Sequence, residues 1–165
     1  MKSSRDKPDS DSERLREAAE AVVLCQQRGD PLALAQALKR QGYLERRLGT
    51  RDAARLHYEE AAAIYRREGD CLGLAHTVRH LGDIHLDAGA TDLAEPCLQE
   101  ALDIYRGDVG SPSLDLANAI RSLAVLKGAT GDTGQAERFW REARDFYVAL
   151  KVEAGVAECD ARLAK

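Results

Sequence analysis

The feature that most restricts the fold is a segment of roughly forty residues written three times in succession. "LAQALKRQGYLERRLGTRDAARLHYEEAAAIYRREGD" starts at Leu34, "LAHTVRHLGDIHLDAGATDLAEPCLQEALDIYRGD" at Leu74, and "LANAIRSLAVLKGATGDTGQAERFWREARDFYVAL" at Leu116. In register, Ala35/Ala75/Ala117, Gly49/Gly89/Gly131, Ala54/Ala94/Ala136, Ala61/Ala101/Ala143 and Tyr65/Tyr105/Tyr147 coincide. The slightly longer last spacing falls in "GDVGSPS", a turn-rich stretch where insertion costs little. The pattern runs on at both ends. "RLREAAEAVVLCQQRGD" matches the second half of a unit, with Ala21 aligned to Ala61, and "GVAECDARLAK" matches a first half. The expected organisation is therefore a disordered leader at 1–12 and one repeat domain at 13–165. Within that domain lie a half-unit (14–30), units 31–70, 71–112 and 113–152, and a capping half-unit (153–165).

Each unit reads as two helices. The first is apolar at helical spacing, as in Leu74, Val78, Leu81 and Ile84. It ends near Gly49, Gly89 or Gly131, because glycine takes a left-handed helix end without steric cost. Thr50, Thr91 and Asp132 then stand as N-caps of the second helix. Two antiparallel helices approach closely only where side chains are small. Ala54, Ala61 and their counterparts serve that approach, while Tyr58, Leu98 and Trp140 fill the wider gap. A lone amphipathic hairpin cannot bury both faces, so such units stack. The tyrosine series is expected to pack between hairpins.

Charge and composition close off several classes. The net charge is −4 with both signs interleaved, so no basic field invites nucleic acid or an anionic membrane. No segment approaches the roughly 18 apolar residues of a membrane span. The N-terminus lacks a signal-peptide core, which makes the cytoplasm the expected compartment. Cys25, Cys71, Cys97 and Cys159 are scattered, with no C-x-x-C pair, and are expected to be reduced, mostly buried thiols.

The repeat resembles the tetratricopeptide (TPR) family. The small residue late in the first helix stands at Gly42, Gly82 and Ala124. The paired alanines of the second helix, with a large residue between, stand as Ala54-Tyr58-Ala61, Ala94-Leu98-Ala101 and Ala136-Trp140-Ala143. The longer period is similar to the long-helix TPR variety frequent in bacterial signalling and regulatory proteins. The sequence departs from the pattern where Glu45, His85 and Lys127 replace a large aromatic, and where Pro96 sits inside a second helix. An interior proline costs about 3 kcal/mol, and near the helix start a local bend is expected. The resemblance implies an all-α, right-handed superhelical array of antiparallel helix hairpins, a TPR-like solenoid with the first helices along its concave face.

On that reading the groove residues form rows. Gln36/His76/Asn118 come first, Lys39/Arg79/Arg121 one turn on, and Tyr43/Asp83/Val125 next, with Arg46 extending the first line. The cation repeated in the middle row suits an acidic ligand, because a partly desolvated cation binds carboxylate better than one in open water. The competing reading is a solvated face with Arg79 paired to Asp83 at i, i+4. If the row binds ligand, reversing charge at Arg79 and Arg121 removes capture and leaves stability nearly unchanged.

"HTVRHLGDIH" puts His76, His80 and Asp83 on one helix face, a spacing able to grip a metal, but Arg79 in their midst repels a cation. No G-x-x-x-x-G-K-[ST], G-x-G-x-x-G, H-E-x-x-H or G-x-S-x-G stretch occurs. The expectation is a non-catalytic protein–protein interaction scaffold with no cofactor, binding a peptide or helical segment, an acidic one by the cation row. The alternative is self-assembly, a homodimer or stacked array formed through the terminal helices. An apolar stripe of Leu15, Ala18, Val22 and Val23 needs cover for that alternative.

Overall fold

The computed structural model describes residues 10–108 and 113–164, and shows eight α-helices and no strand among them. They are α1 (Ser10–Arg28), α2 (Pro31–Leu48), α3 (Arg51–Glu68), α4 (Cys71–Asp87), α5 (Thr91–Gly107), α6 (Ser113–Ala129), α7 (Thr133–Ala149) and α8 (Glu153–Leu163). Most of the expected leader lies outside the described residues, and α1 already begins at Ser10. The chain forms two compact units, 1–70 and 71–165, which divide between the first and second repeats.

The first unit contains α1 and the α2–α3 hairpin. Asp30 caps α2 by accepting from the Ala33 amide at 3.1 Å, and Pro31 takes the first turn, where no amide is needed. Gly49 ends α2 at φ 85°, a left-handed conformation, and lets the Thr50 amide donate to the Glu45 carbonyl at 2.9 Å. Thr50 was expected to cap α3 through its side chain. Its hydroxyl instead donates back to the Glu45 carbonyl at 3.0 Å, closing the end of α2. Gly42 lies against Tyr58, where an added methyl would come within 3.2 Å of the ring. Ala18 and Val22 of the expected apolar stripe are buried, and α1 packs on α2. Val23 is 51 % and Leu24 is 44 % exposed.

The second unit contains the α4–α5 and α6–α7 hairpins and α8. Its core includes Leu98, Leu102, Ile120, Leu123, Leu126, Trp140 and Tyr147. Gly82 admits no side chain, since a methyl there would sit 2.5 Å from the Leu98 Cγ. Asp132 caps α7 as expected, accepting from the Gln135 amide at 3.0 Å. Thr91 does not cap α5: the helix starts one residue earlier than expected, with Ala90 in the cap position and no side-chain bond. Helix α5 runs through Pro96 unbroken, with the proline exposed.

Two of the positions that depart from the repeat pattern, Glu45 and Lys127, carry polar pairs. Buried Glu45 accepts from Gln41 at 3.1 Å and faces His57 Nδ1 at 2.7 Å across its hairpin, while Lys127 pairs with Glu95. Tyr65, Tyr105 and Tyr147 are buried as expected, each at most 2 % exposed, and burial pushes each phenol up to about 12. The four cysteines are not joined in disulfides, but only Cys159 is buried. Cys71 opens α4 at an exposed position, and Cys25 and Cys97 are half-buried.

Candidate functional site

The first-helix residues separate into two different surfaces, one in each unit. On α2, Gln36 and Tyr43 are exposed, and Tyr43 shows 47 % of its surface. The Arg47 guanidinium lies 5.9 Å from the Tyr43 ring and also pairs with Asp11 at 2.9 Å. Lys39 and Arg46 are half-buried, and the Lys39 ammonium sits 5.7 Å above the Tyr65 ring. Arg40 is exposed one residue on. This face presents Tyr43 with Arg47 over its ring and Arg40 exposed on the same helix, while Lys39 turns to the buried Tyr65. The acid within α2 is Glu45, and it is buried behind that face.

In the second unit the expected site residues are tied to one another. Arg79 is buried at 7 % exposure, with Asp83 at 3.4 Å, Asp115 at 4.0 Å and His80 Nε2 at 3.3 Å. Asp83 also accepts from the Ser122 hydroxyl at 2.6 Å, linking α4 to α6. The Asn118 carbonyl oxygen accepts from the Tyr147 hydroxyl at 2.8 Å. Arg121 donates two parallel bonds to Glu158 of α8, both 2.6 Å. That fork raises the Arg121 pKa further above its usual value. His76 stacks edge-on against His80 with ring centres 4.6 Å apart, and Val125 packs against the core as a half-buried residue.

These geometries separate the members of the cation row. Lys39 belongs to the exposed α2 face, whereas Arg79 and Arg121 already hold carboxylates of their own chain. Asp83 is the partner expected for Arg79, but Asp115, Ser122 and Glu158 were not anticipated. A signal for them existed. Ser122–Asp83 and Arg121–Glu158 are separated by 39 and 37 residues, close to one repeat length. The Arg79 guanidinium also occupies the face shared by His76, His80 and Asp83, and no group of three or more metal-ligating side chains stands together among the described residues.

Comparison with known proteins bears on the repeat and the fold. The family profile described as Tetratricopeptide repeat matches residues 33–107 and, overlapping it, 74–147. No curated protein matches the sequence significantly. Among solved structures, the crystal structure of BtubC (BKLC) from P. vanneervenii is similar, with a TM-score of 0.76 at 19% identity. The alignment covers 86% of this chain and 58% of that one, so this chain spans little more than half the length of its structural relative.

Proposed function

Because the chain belongs to the tetratricopeptide repeat family, whose repeats generally mediate binding of protein partners, we propose that it is a non-catalytic interaction module for an extended or helical partner segment. First-helix faces receive the segment, and α2 sets a preference for acidic sequence. The observation that carries this reading is the exposed Tyr43 with the Arg47 guanidinium over its ring and Arg40 exposed on the same helix, in a chain whose net charge is −4. Aromatic and arginine side chains are the residue types that most often anchor protein interfaces. A groove-binding peptide gains little from scattered surface cations but more from cations clustered around a ring.

The half-exposed His76, Asn118 and Val125, with Asp83 beside them, offer the second unit's contribution, which is polar and neutral overall. Arg79 and Arg121 serve chiefly to hold that unit together.

The test is binding of a fluorescein-labelled glutamate-rich peptide followed by anisotropy. Tyr43→Ala and the double change Arg40→Glu/Arg46→Glu each weaken binding at least tenfold with the helical signal intact. Undiminished binding in both rejects the α2 face. Self-assembly remains the second reading, supported by Val23 and Leu24 on α1, which are 51% and 44% exposed. Light scattering that shows one monomer mass across a hundredfold concentration range would remove it.

A further inference from the structure

Helix α8 is held differently from the other helices of its unit. It has 11 residues, and Cys159 is its one buried side chain among the described residues, whereas α4 buries Leu74, Ala75, Val78, Leu81, Ile84 and others. An isolated helix of this length is marginal in water, and segments with little burial open at small cost. A cavity of about 580 Å³ lies at its C-terminal end beside Trp140 and Leu163, and another of about 480 Å³ lies at its N-terminal end beside Tyr147 and Val156. Both are open to solvent, and α8 meets the core through Cys159 with the part-buried Val156 and Leu163.

The surface beneath α8 is nonetheless specific. Arg121 from α6 forks onto Glu158, and Arg144 from α7 reaches Asp160 at 2.5 Å, so two cations receive two carboxylates flanking the buried Cys159. Gly155 lies flat on Tyr147, where any Cβ would come within 2.6 Å of the ring. Arg162 covers the Trp140 ring at 5.8 Å. The helix that fits must therefore present glycine, then an acid, a small residue and a second acid, in the spacing of Gly155, Glu158, Cys159 and Asp160.

We propose that this α6–α7 surface is a helix-binding site, that α8 is its resident occupant, and that an acidic amphipathic helix of a partner protein exchanges with it. Charge complementarity identifies the ligand: an incoming helix that lacks a carboxylate at the place of Glu158 leaves the part-buried Arg121 without its fork, while the more exposed Arg144–Asp160 pair adds a weaker preference for a second acid. Occupation by α8 lowers the apparent affinity for the partner by the fraction of time that the site is open. This surface is distinct from the α2 face and does not depend on it.

The probe is a fluorescein-labelled peptide with the sequence of residues 153–165, added to the full chain under reducing conditions. Gly155→Leu drives a side chain into Tyr147 and unseats α8 in cis. That variant is expected to bind the peptide at least tenfold more tightly than the unaltered chain. Adding Arg121→Glu is expected to weaken binding tenfold or more, and a peptide carrying Lys in place of Glu158 to recover it. Emission of Trp140, the chain's one tryptophan, should shift to the red in Gly155→Leu and return on peptide addition. Equal binding by Gly155→Leu and the unaltered chain overturns the proposal, as does indifference to Arg121→Glu. Should Gly155→Leu lose helical signal beyond α8, Glu158→Gln in cis replaces it with the same expectations. If the unaltered chain dimerises with concentration and Arg121→Glu prevents it, the site belongs to a second copy and the partner assignment fails. Tyr43→Ala leaves peptide uptake unchanged, so failure here and failure of the α2 reading are distinguishable.

Discussion

At the scale of the residue, Arg79 shows why position in a row does not fix a role. Its place one turn after His76 was legible in the sequence, but its burial follows from Asp83, Asp115 and Tyr105 converging from α4, α6 and α5. A buried ion pair that loses one partner leaves an uncompensated charge, so Arg79→Ala is expected to cost about 3 kcal/mol. Urea unfolding will measure it, and Arg79→Glu should cost more. Reversing charge here therefore unsettles the fold, contrary to what the sequence suggested. Arg121 and Glu158 are separated by nearly one repeat length, a signal in the sequence that does not by itself say which of many such charged pairs the stacked helices bring together. The tyrosines give a second prediction. Each phenol is shifted from 10.0 to about 12 by burial, so the unfolded chain loses these protons at lower pH than the folded one. Their contribution is complete below pH 10 and declines as pH rises from 10 towards 12, by up to about 1.4 kcal/mol per pH unit for each tyrosine. Urea titrations at pH 9, 10 and 11 will show it, and Tyr105→Phe should flatten the slope.

At the scale of the element, helix boundaries were readable because glycine and turn residues punctuate a strong period. Cap chemistry was less so. Asp132 caps α7 as expected, but the Thr50 hydroxyl donates to the Glu45 carbonyl and accepts from no α3 amide, and α5 begins at its expected cap residue, Thr91. The small residues of the first helices carry a graded prediction. A methyl on Gly82 meets Leu98 at 2.5 Å, whereas one on Gly42 meets Tyr58 and the Ala54 carbonyl at 3.2 Å. Overpacking costs roughly 1–3 kcal/mol, so Gly82→Ala should fall near the top of that range and Gly42→Ala near the bottom. Thermal melts of the two variants will rank them, and equal melting points would contradict the packing described.

At the scale of the whole molecule, the repeat, its hairpins and its helical class were legible because they follow from periodicity, which needs no knowledge of contacts. The partition of charge was not. Of the cations at equivalent positions, Lys39 lies half-buried over Tyr65 in α2 while Arg79 and Arg121 hold carboxylates in the second unit, and only packing decides which. Binding through α2 should therefore be strongly salt-sensitive: raising ionic strength from 0.05 to 0.5 M is expected to weaken the glutamate-rich peptide at least tenfold, as exposed charges are screened. An unchanged affinity would place the contact elsewhere. The pairing of small with large residues also bears on how the chain avoids error while it folds. Three similar hairpins in one chain invite each first helix to pair with the wrong second helix. Gly42 is matched to Tyr58 and Gly82 to Leu98, while Ala124 shares its core with Trp140. Docking α2 on α5 would put a leucine where Gly42 takes Tyr58, and docking α4 on α7 would put an indole where Gly82 takes Leu98. Each hairpin thus differs from the others in the side-chain volume that its two helices must share.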